Sequence, residues 1–200
     1  MLFGIGMSVS FYNQNAQCFA ADTLNVDMSA LYEHFLPLLG PGAHIIDAGC
    51  GSGRDASYFL KLGYQVTAFD ASKEMATLAS KHTGLDVLCC EFMQFHSDRP
   101  ADAIWACASL LHIPPESLTQ NFCHLASMLK PAGVFYCSFK LGEHDITKEG
   151  RYFTNMTVER LGNFIPSDLL TIKNTWLTAD ARPGREQEQW LNVMMERIST

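Results

Sequence analysis

Asp47-Ala48-Gly49-Cys50-Gly51-Ser52-Gly53 sets three glycines at alternate positions directly after a carboxylate, and that carboxylate ends an apolar run through Ile45 and Ile46. Glycine has no Cβ, so such a turn permits positive φ and lets a ligand press against main-chain amides. A second short apolar run, Val66-Thr67-Ala68-Phe69, ends in Asp70. It lies about 20 residues past the glycines, where an acid that receives ribose hydroxyls belongs. Amides at a glycine turn and a carboxylate at the next strand end are the chemistry of nucleoside recognition.

The details select among nucleoside ligands. The dinucleotide pattern G-x-G-x-x-G uses its third glycine for close helix–strand packing. Here Arg54 fills that position. Asp47, just ahead of the loop, would repel a pyrophosphate and attract a positively charged ligand. S-adenosylmethionine carries an ammonium, a sulfonium and a ribose, and no phosphate. The pattern suits it better than NAD.

Asp47 to Gly53 resembles the first motif of class I S-adenosylmethionine-dependent methyltransferases, and Asp70-Ala71-Ser72-Lys73-Glu74-Met75 is similar to their second, D-x-S-x-x-M. The resemblance implies that Asp70 holds both ribose hydroxyls, that Ala71 and Met75 lie near the adenine, and that Glu91-Phe92 is the adenine-contacting pair after the third strand. Phe92 departs from the small or aliphatic residue usual there. Asp102-Ala103-Ile104-Trp105-Ala106-Cys107-Ala108-Ser109-Leu110-Leu111-His112-Ile113-Pro114 resembles the fourth-strand segment of the group known as tellurite-resistance methyltransferases. So do Asn15-Ala16, Asp27-Met28-Ser29, Phe139-Lys140-Leu141-Gly142-Glu143, Gly150-Arg151-Tyr152-Phe153-Thr154, Arg182-Pro183-Gly184-Arg185 and Trp190-Leu191-Asn192. That likeness covers nearly the whole chain from Tyr12. The group's name does not fix the methyl acceptor.

Composition sets bounds. A chain of 200 residues with 48% hydrophobic residues is long enough for one buried core and is expected to be a single domain. A net charge of -7 argues against nucleic-acid and anionic-membrane partners. No lysine or arginine precedes Arg54, so no basic leader is read, and no apolar run is long enough to span a bilayer. Seven cysteines without a C-x-x-C pair fit reduced core thiols in a cytoplasmic protein, and no metal site is read from them.

The elements that must position these residues follow from periodicity. Residues 1–10 are unpatterned and read as a disordered lead, with Met7 as an alternative start. Residues 11–40 read as N-terminal helices over the cofactor site: a short helix over 12–21, then one capped by Ser29 and stopped by Gly40-Pro41-Gly42. Strands over 44–47, 65–69, 86–90, 103–107 and 133–139 alternate with helices over 55–62, 72–81 and 118–129. Such alternation implies a Rossmann-like α/β sandwich of three layers around a mostly parallel sheet. Two further strand-like runs, 169–178 and 189–198, flank Arg182-Pro183-Gly184-Arg185, whose Pro-Gly centre is type II turn chemistry. They read as a C-terminal hairpin that supplies the single antiparallel strand of a seven-stranded sheet, as the resemblance implies.

Ligands of open parallel sheets sit at the carboxyl ends of the strands. That rule collects Asp47, Asp70, Glu91, Ala108, Ser109, His112 and Lys140 on one rim, and with them Arg182 and Arg185 at the hairpin turn. The resemblance, taken with this rule, implies cofactor contacts from Tyr12, Asp47, Gly49, Cys50, Gly51, Gly53, Asp70, Ala71, Met75, Glu91, Phe92, Ala108 and Ser109. Imidazole can orient an acceptor or take its proton, so His112 is the candidate catalytic residue and also a candidate substrate contact. Arg151, Arg182 and Arg185 are candidates to clamp an anion bidentately. The reading is methyl transfer from S-adenosylmethionine, with S-adenosylhomocysteine as product, to a small acceptor such as an anion or metalloid oxyanion. The alternatives are a non-catalytic sensor of the same two ligands and an NAD-dependent oxidoreductase.

Overall fold

The computed structural model describes residues 3–199. Seven strands form one sheet in the order β3-β2-β1-β4-β5-β9-β8. They are β1 (His44–Ala48), β2 (Gln65–Asp70), β3 (Leu88–Cys89), β4 (Ala101–Ala106), β5 (Leu129–Lys140), β8 (Leu170–Ala179) and β9 (Gln189–Arg197). β1 pairs in parallel with β2 and β4, β2 with β3, and β4 with β5. β9 runs antiparallel to both β5 and β8. It is the one reversed strand, and the carboxyl end of β8 comes to the same edge as those of β1, β2, β4 and β5.

β1 is buried at every position because helices cover both faces of the sheet. On one face Ile45, Trp105 and Tyr136 pack with Tyr32 and Phe35 of α2 (Ser29–Phe35) and Phe59 of α3 (Arg54–Lys61). On the other, Ile46, Ile104, Phe135 and Phe139 pack with Leu118, Phe122 and Leu125 of α5 (Pro115–Ser127). Small residues bring α3 close to α4 (Lys73–Thr83) and β2, through Ala56, Ala68, Ala76 and Ala79.

Several local expectations need correction. The disordered lead is overturned over its described part: α1 runs from Phe3 to Thr23. Its first turns lack a helical pattern, but they dock. Ser8 is buried and its Oγ accepts the Tyr152 amide at 3.1 Å, and Ile5 packs against the core. The rest of that expected lead, Met1 and Leu2, lies outside the described residues. Ser29 is the first helical residue rather than the cap; Asp27 Oδ1 accepts its amide at 2.9 Å. Pro37 then tightens the end of α2 into a 3₁₀ turn over Leu36–Leu38. A small hairpin of β6 (Ile146–Lys148) and β7 (Arg151–Phe153), followed by α6 (Val158–Gly162), is inserted after β5. The C-terminal turn is as read: Gly184 has φ +77° and the Arg185 amide donates to the Arg182 carbonyl at 3.3 Å. No helix among the described residues is long and apolar enough to cross a membrane.

Candidate active site

A cavity of about 490 Å³ opens at the carboxyl edge of the sheet. Its size is typical of small-ligand sites. The glycine turn forms one wall, and its three glycines do three different things. All have positive φ, at +77°, +56° and +81° for Gly49, Gly51 and Gly53. A Cβ on Gly49 would come within 2.5 Å of the Ser109 Cβ, so this glycine lets the loops after β1 and β4 touch. A Cβ on Gly51 would meet only the Met75 methyl, at 3.6 Å, and would otherwise enter the cavity. A Cβ on Gly53 would sit 2.8 Å from Thr83 Cγ2 and 3.1 Å from Ala79 Cβ. Gly53 therefore packs α3 against α4 and does not line the cavity, a correction to its expected place at the cofactor.

Asp70 holds the turn from the next strand. Its Oδ2 accepts the Gly51 amide and its Oδ1 the Ser72 amide, each at 2.8 Å. Burial raises its pKa, and those two amides oppose the rise. Ser72 caps α4 by accepting the Met75 amide at 3.2 Å, and its hydroxyl donates to Asn13 Oδ1 of α1 at 2.8 Å. Asp47 is buried, and its Oδ2 has no hydrogen-bond partner among the described residues. Burial, and then the charge of Asp55, push its carboxyl well above the usual carboxylate range.

Asp55 was not singled out from the sequence. It sits at the start of α3, where it is buried and accepts four hydrogen bonds. Tyr32 Oη and Arg54 Nε reach its Oδ1 at 2.6 Å each; Trp105 Nε1 and an Arg54 terminal nitrogen reach its Oδ2 at 2.8 and 3.0 Å. Burial would raise its pKa, but Arg54 and these donors outweigh it and hold the carboxyl below its ordinary value.

The rest of the cavity is built by β4, α1, β7 and the terminal hairpin. His112 Nδ1 lies 2.6 Å from the Tyr152 carbonyl, which can only accept, so that nitrogen carries the proton. Nε2 is then the acceptor and takes the Tyr12 hydroxyl at 2.9 Å. Burial, and less strongly Arg151 and Lys140, lower the His112 pKa to about 4, against the opposing Tyr152 carbonyl. His112 is therefore neutral at pH 7 with both ring nitrogens engaged. Arg151 is 7% exposed, lies over the Phe11 ring at 4.4 Å and pairs with Glu149 at 2.9 Å, while its Nε has no partner among the described residues. Arg182 is bound through two nitrogens to the buried Asp180, which also accepts Trp190 Nε1 at 3.2 Å. Glu188 accepts from Lys140 and lies 3.9 Å from Arg185. The expected arginine clamp thus has its two hairpin members already paired with carboxylates.

Tyr12, Asp47, Gly49, Cys50, Gly51, Asp70, Ala71, Met75, Glu91, Phe92, Ala108, Ser109, His112, Arg151, Arg182 and Arg185 all line this one cavity. Lys140, Trp190 and Arg54 line it as well.

Residues 45–133 match the family model of a methyltransferase domain. The fold is that of the class I methyltransferases. The chain is 31% identical over 105 residues to the ubiquinone biosynthesis O-methyltransferase of Xanthomonas campestris pv. campestris, a match covering 49% of this chain and 43% of that protein. It thus spans less than half the length of the curated relatives it matches. Among solved structures, it is similar to 1,6-didemethyltoxoflavin-N1-methyltransferase of Burkholderia thailandensis with bound S-adenosylhomocysteine. That likeness has a TM-score of 0.73 at 22% identity and covers 96% of this chain and 85% of that one. The N-methyltransferase NodS of Bradyrhizobium japonicum, also with S-adenosylhomocysteine, gives a TM-score of 0.70 at 14% identity, covering 93% and 98%. These likenesses show a shared fold: a mostly parallel sheet into which one antiparallel C-terminal strand, β9, is inserted beside the edge strand.

Proposed function

We propose that the protein transfers a methyl group from S-adenosylmethionine to a small acceptor. The observation that carries this reading is the pairing of Gly51, whose Cα faces open cavity, with the buried, unpartnered Asp47 Oδ2 in the same wall. An orphaned buried carboxylate oxygen is costly unless a ligand satisfies it. A cationic, phosphate-free nucleoside does so, and a pyrophosphate does not. Asp70 keeps lone pairs for the ribose hydroxyls beyond the two amides it accepts. Titration calorimetry is expected to show S-adenosylmethionine and S-adenosylhomocysteine binding far more tightly than NAD. Asp70→Ala should weaken them roughly 10- to 100-fold, since charge-assisted hydrogen bonds to the sugar are lost. Equal affinity in that variant would remove the ribose assignment, and tighter NAD binding would remove the cofactor. Tight binding without transfer to any acceptor would make the protein a sensor.

The acceptor in this reading is small and anionic, and a metalloid oxyanion is in keeping with the tellurite-resistance resemblance. Lys140, Arg151, Arg182 and Arg185 line the cavity away from the glycine turn, but Lys140 and Arg185 already face Glu188 and Arg182 is bound to Asp180, so the support for an anion comes from Arg151. Arg151 is the member best placed to hold an anion, because its Nε is buried and unpartnered among the described residues. Arg151→Gln is expected to raise the acceptor KM about tenfold or more, the weight of one charge-assisted bond, with cofactor affinity nearly unchanged. Steady-state kinetics with selenite, tellurite and small phenolic acids as trial acceptors check this, and an unaltered KM would count against an anion held at Arg151.

A further inference from the structure

The turn of the inserted hairpin carries a residue that its backbone disfavours. Lys148 of β6 pairs with Arg151 of β7, so Glu149 and Gly150 alone join the two strands. Both have positive φ, at +53° and +73°. A two-residue hairpin loop of this kind favours Asn, Asp or Gly at its first position, and a longer side chain is strained there. Glu149 stands in that place, and its Oε2 accepts from Arg151 Nη2 at 2.9 Å. The two partners differ in setting. The Glu149 side chain is 56% exposed and that of Arg151 is 8% exposed. Arg151 lines the cavity and Glu149 does not, so the carboxylate meets the guanidinium from outside the site.

Glu149 is not needed to hold the guanidinium in place. The guanidinium carbon of Arg151 lies 4.4 Å from the centre of the Phe11 ring on α1 and 5.3 Å from that of Phe153 on β7. An ion pair with one partner so exposed adds little to stability. Its effect falls instead on the charge that Arg151 presents to the cavity. A carboxylate at hydrogen-bond distance offsets much of a guanidinium's attraction for a second anion. We propose that Glu149 sets the anion affinity of Arg151, as a resident carboxylate against which the acceptor's negative group must compete. This rests on the reading of Arg151 as the residue that holds the acceptor. A bare guanidinium in a cavity takes up small inorganic anions without discrimination. With Glu149 beside it, an anion stays only if it makes further contacts, so the repulsive group contributes to specificity. Asparagine at this position would relax the turn but would carry no charge.

Calorimetry on the full chain, with S-adenosylhomocysteine bound, tests this with sulfate and selenite as probes. Glu149→Asn is expected to tighten binding of both anions about tenfold, the weight of one charge-assisted contact no longer opposed. Affinity for S-adenosylhomocysteine should not change, and the melting temperature should not fall. Glu149→Gln removes the charge and keeps the long side chain in the strained turn. An equal gain in that variant assigns the effect to charge rather than to backbone relaxation. Adding Arg151→Gln to either variant should erase the gain. Unchanged anion affinity in both Glu149 variants would overturn the inference. So would weaker binding, which is the mark of a carboxylate that merely braces the arginine, or a gain that survives Arg151→Gln. If the wild-type protein binds the anions through Arg151 and the Glu149 variants do so equally, this inference fails and the anion reading stands. If no variant binds either anion, both fail.

Discussion

Asp55→Ala is expected to lower the unfolding free energy by about 3–5 kcal/mol, the usual cost of removing one partner from a buried ion pair. The carboxylate is buried and accepts from Arg54, Tyr32 and Trp105. Its loss leaves a guanidinium, an indole N–H and a phenol without their acceptor, and water has poor access to replace it. Domains of this kind are stable by about 5–15 kcal/mol in total, so the change is a large fraction. Urea unfolding of the ligand-free chain measures it, and a loss under about 1 kcal/mol would show that the network contributes little. The pH dependence has a definite sign. The Asp55 carboxyl is held below its ordinary value when folded, so its contribution is present above the unfolded carboxylate pKa of about 3.9 and fades as pH falls through the lower folded value. Asp47 works in the opposite sense: its folded pKa is raised, so in the ligand-free chain its contribution is full below about 3.9 and is lost as pH rises toward the folded value. A cationic ligand at Asp47 favours the ionised form, so wherever the free carboxyl is still protonated a proton should be released on binding, which calorimetry in buffers of different ionisation enthalpy detects.

Gly51→Val is expected to abolish useful binding of S-adenosylmethionine, by more than about 100-fold, while the fold survives. The new Cβ meets nothing closer than the Met75 methyl at 3.6 Å, so packing in the free protein is barely disturbed. The backbone is strained, because φ is +56° and a β-branched residue disfavours that region; about 1–2 kcal/mol of stability should go. The branched group occupies the cavity where the ligand lies against the turn. Calorimetry with S-adenosylhomocysteine alongside thermal unfolding checks both halves. Normal binding would mean that the ligand does not approach Gly51, and the turn would lose its assigned purpose. Gly53 differs, since its Cβ would strike α4 and the expected damage is to packing rather than to the ligand.

The sequence by itself determined the parts that depend on local backbone chemistry. Glycines at 49, 51 and 53 permitted positive φ, and all three adopt it. The Pro183-Gly184 centre predicted a type II turn, and alternating apolar runs predicted parallel strands with a reversed partner at the end. Asp70 was placed at a strand end by its spacing, and the cavity collects nearly every residue that the carboxyl-edge rule named. These signals survive because steric limits on φ and the period of a strand act over a few residues.

Only the tertiary structure decided how charged and polar groups pair. Tyr12 meets His112 across 100 residues of sequence, and Asp55 meets Trp105 across 50. Neither pairing leaves a mark in the spacing of either residue. The engagement of both His112 nitrogens, the quenching of Arg182 by Asp180 and the unpartnered Asp47 oxygen follow from which segments the sheet order brings together. The start of α1 was hidden for the same reason: its helix is held by docking against β7, through Ser8 and Tyr152, and not by a helical pattern of its own. Gly53 was misplaced because steric permission for positive φ does not say which neighbour occupies the space that the missing side chain leaves. That is set by the helix packed on the far side of the turn.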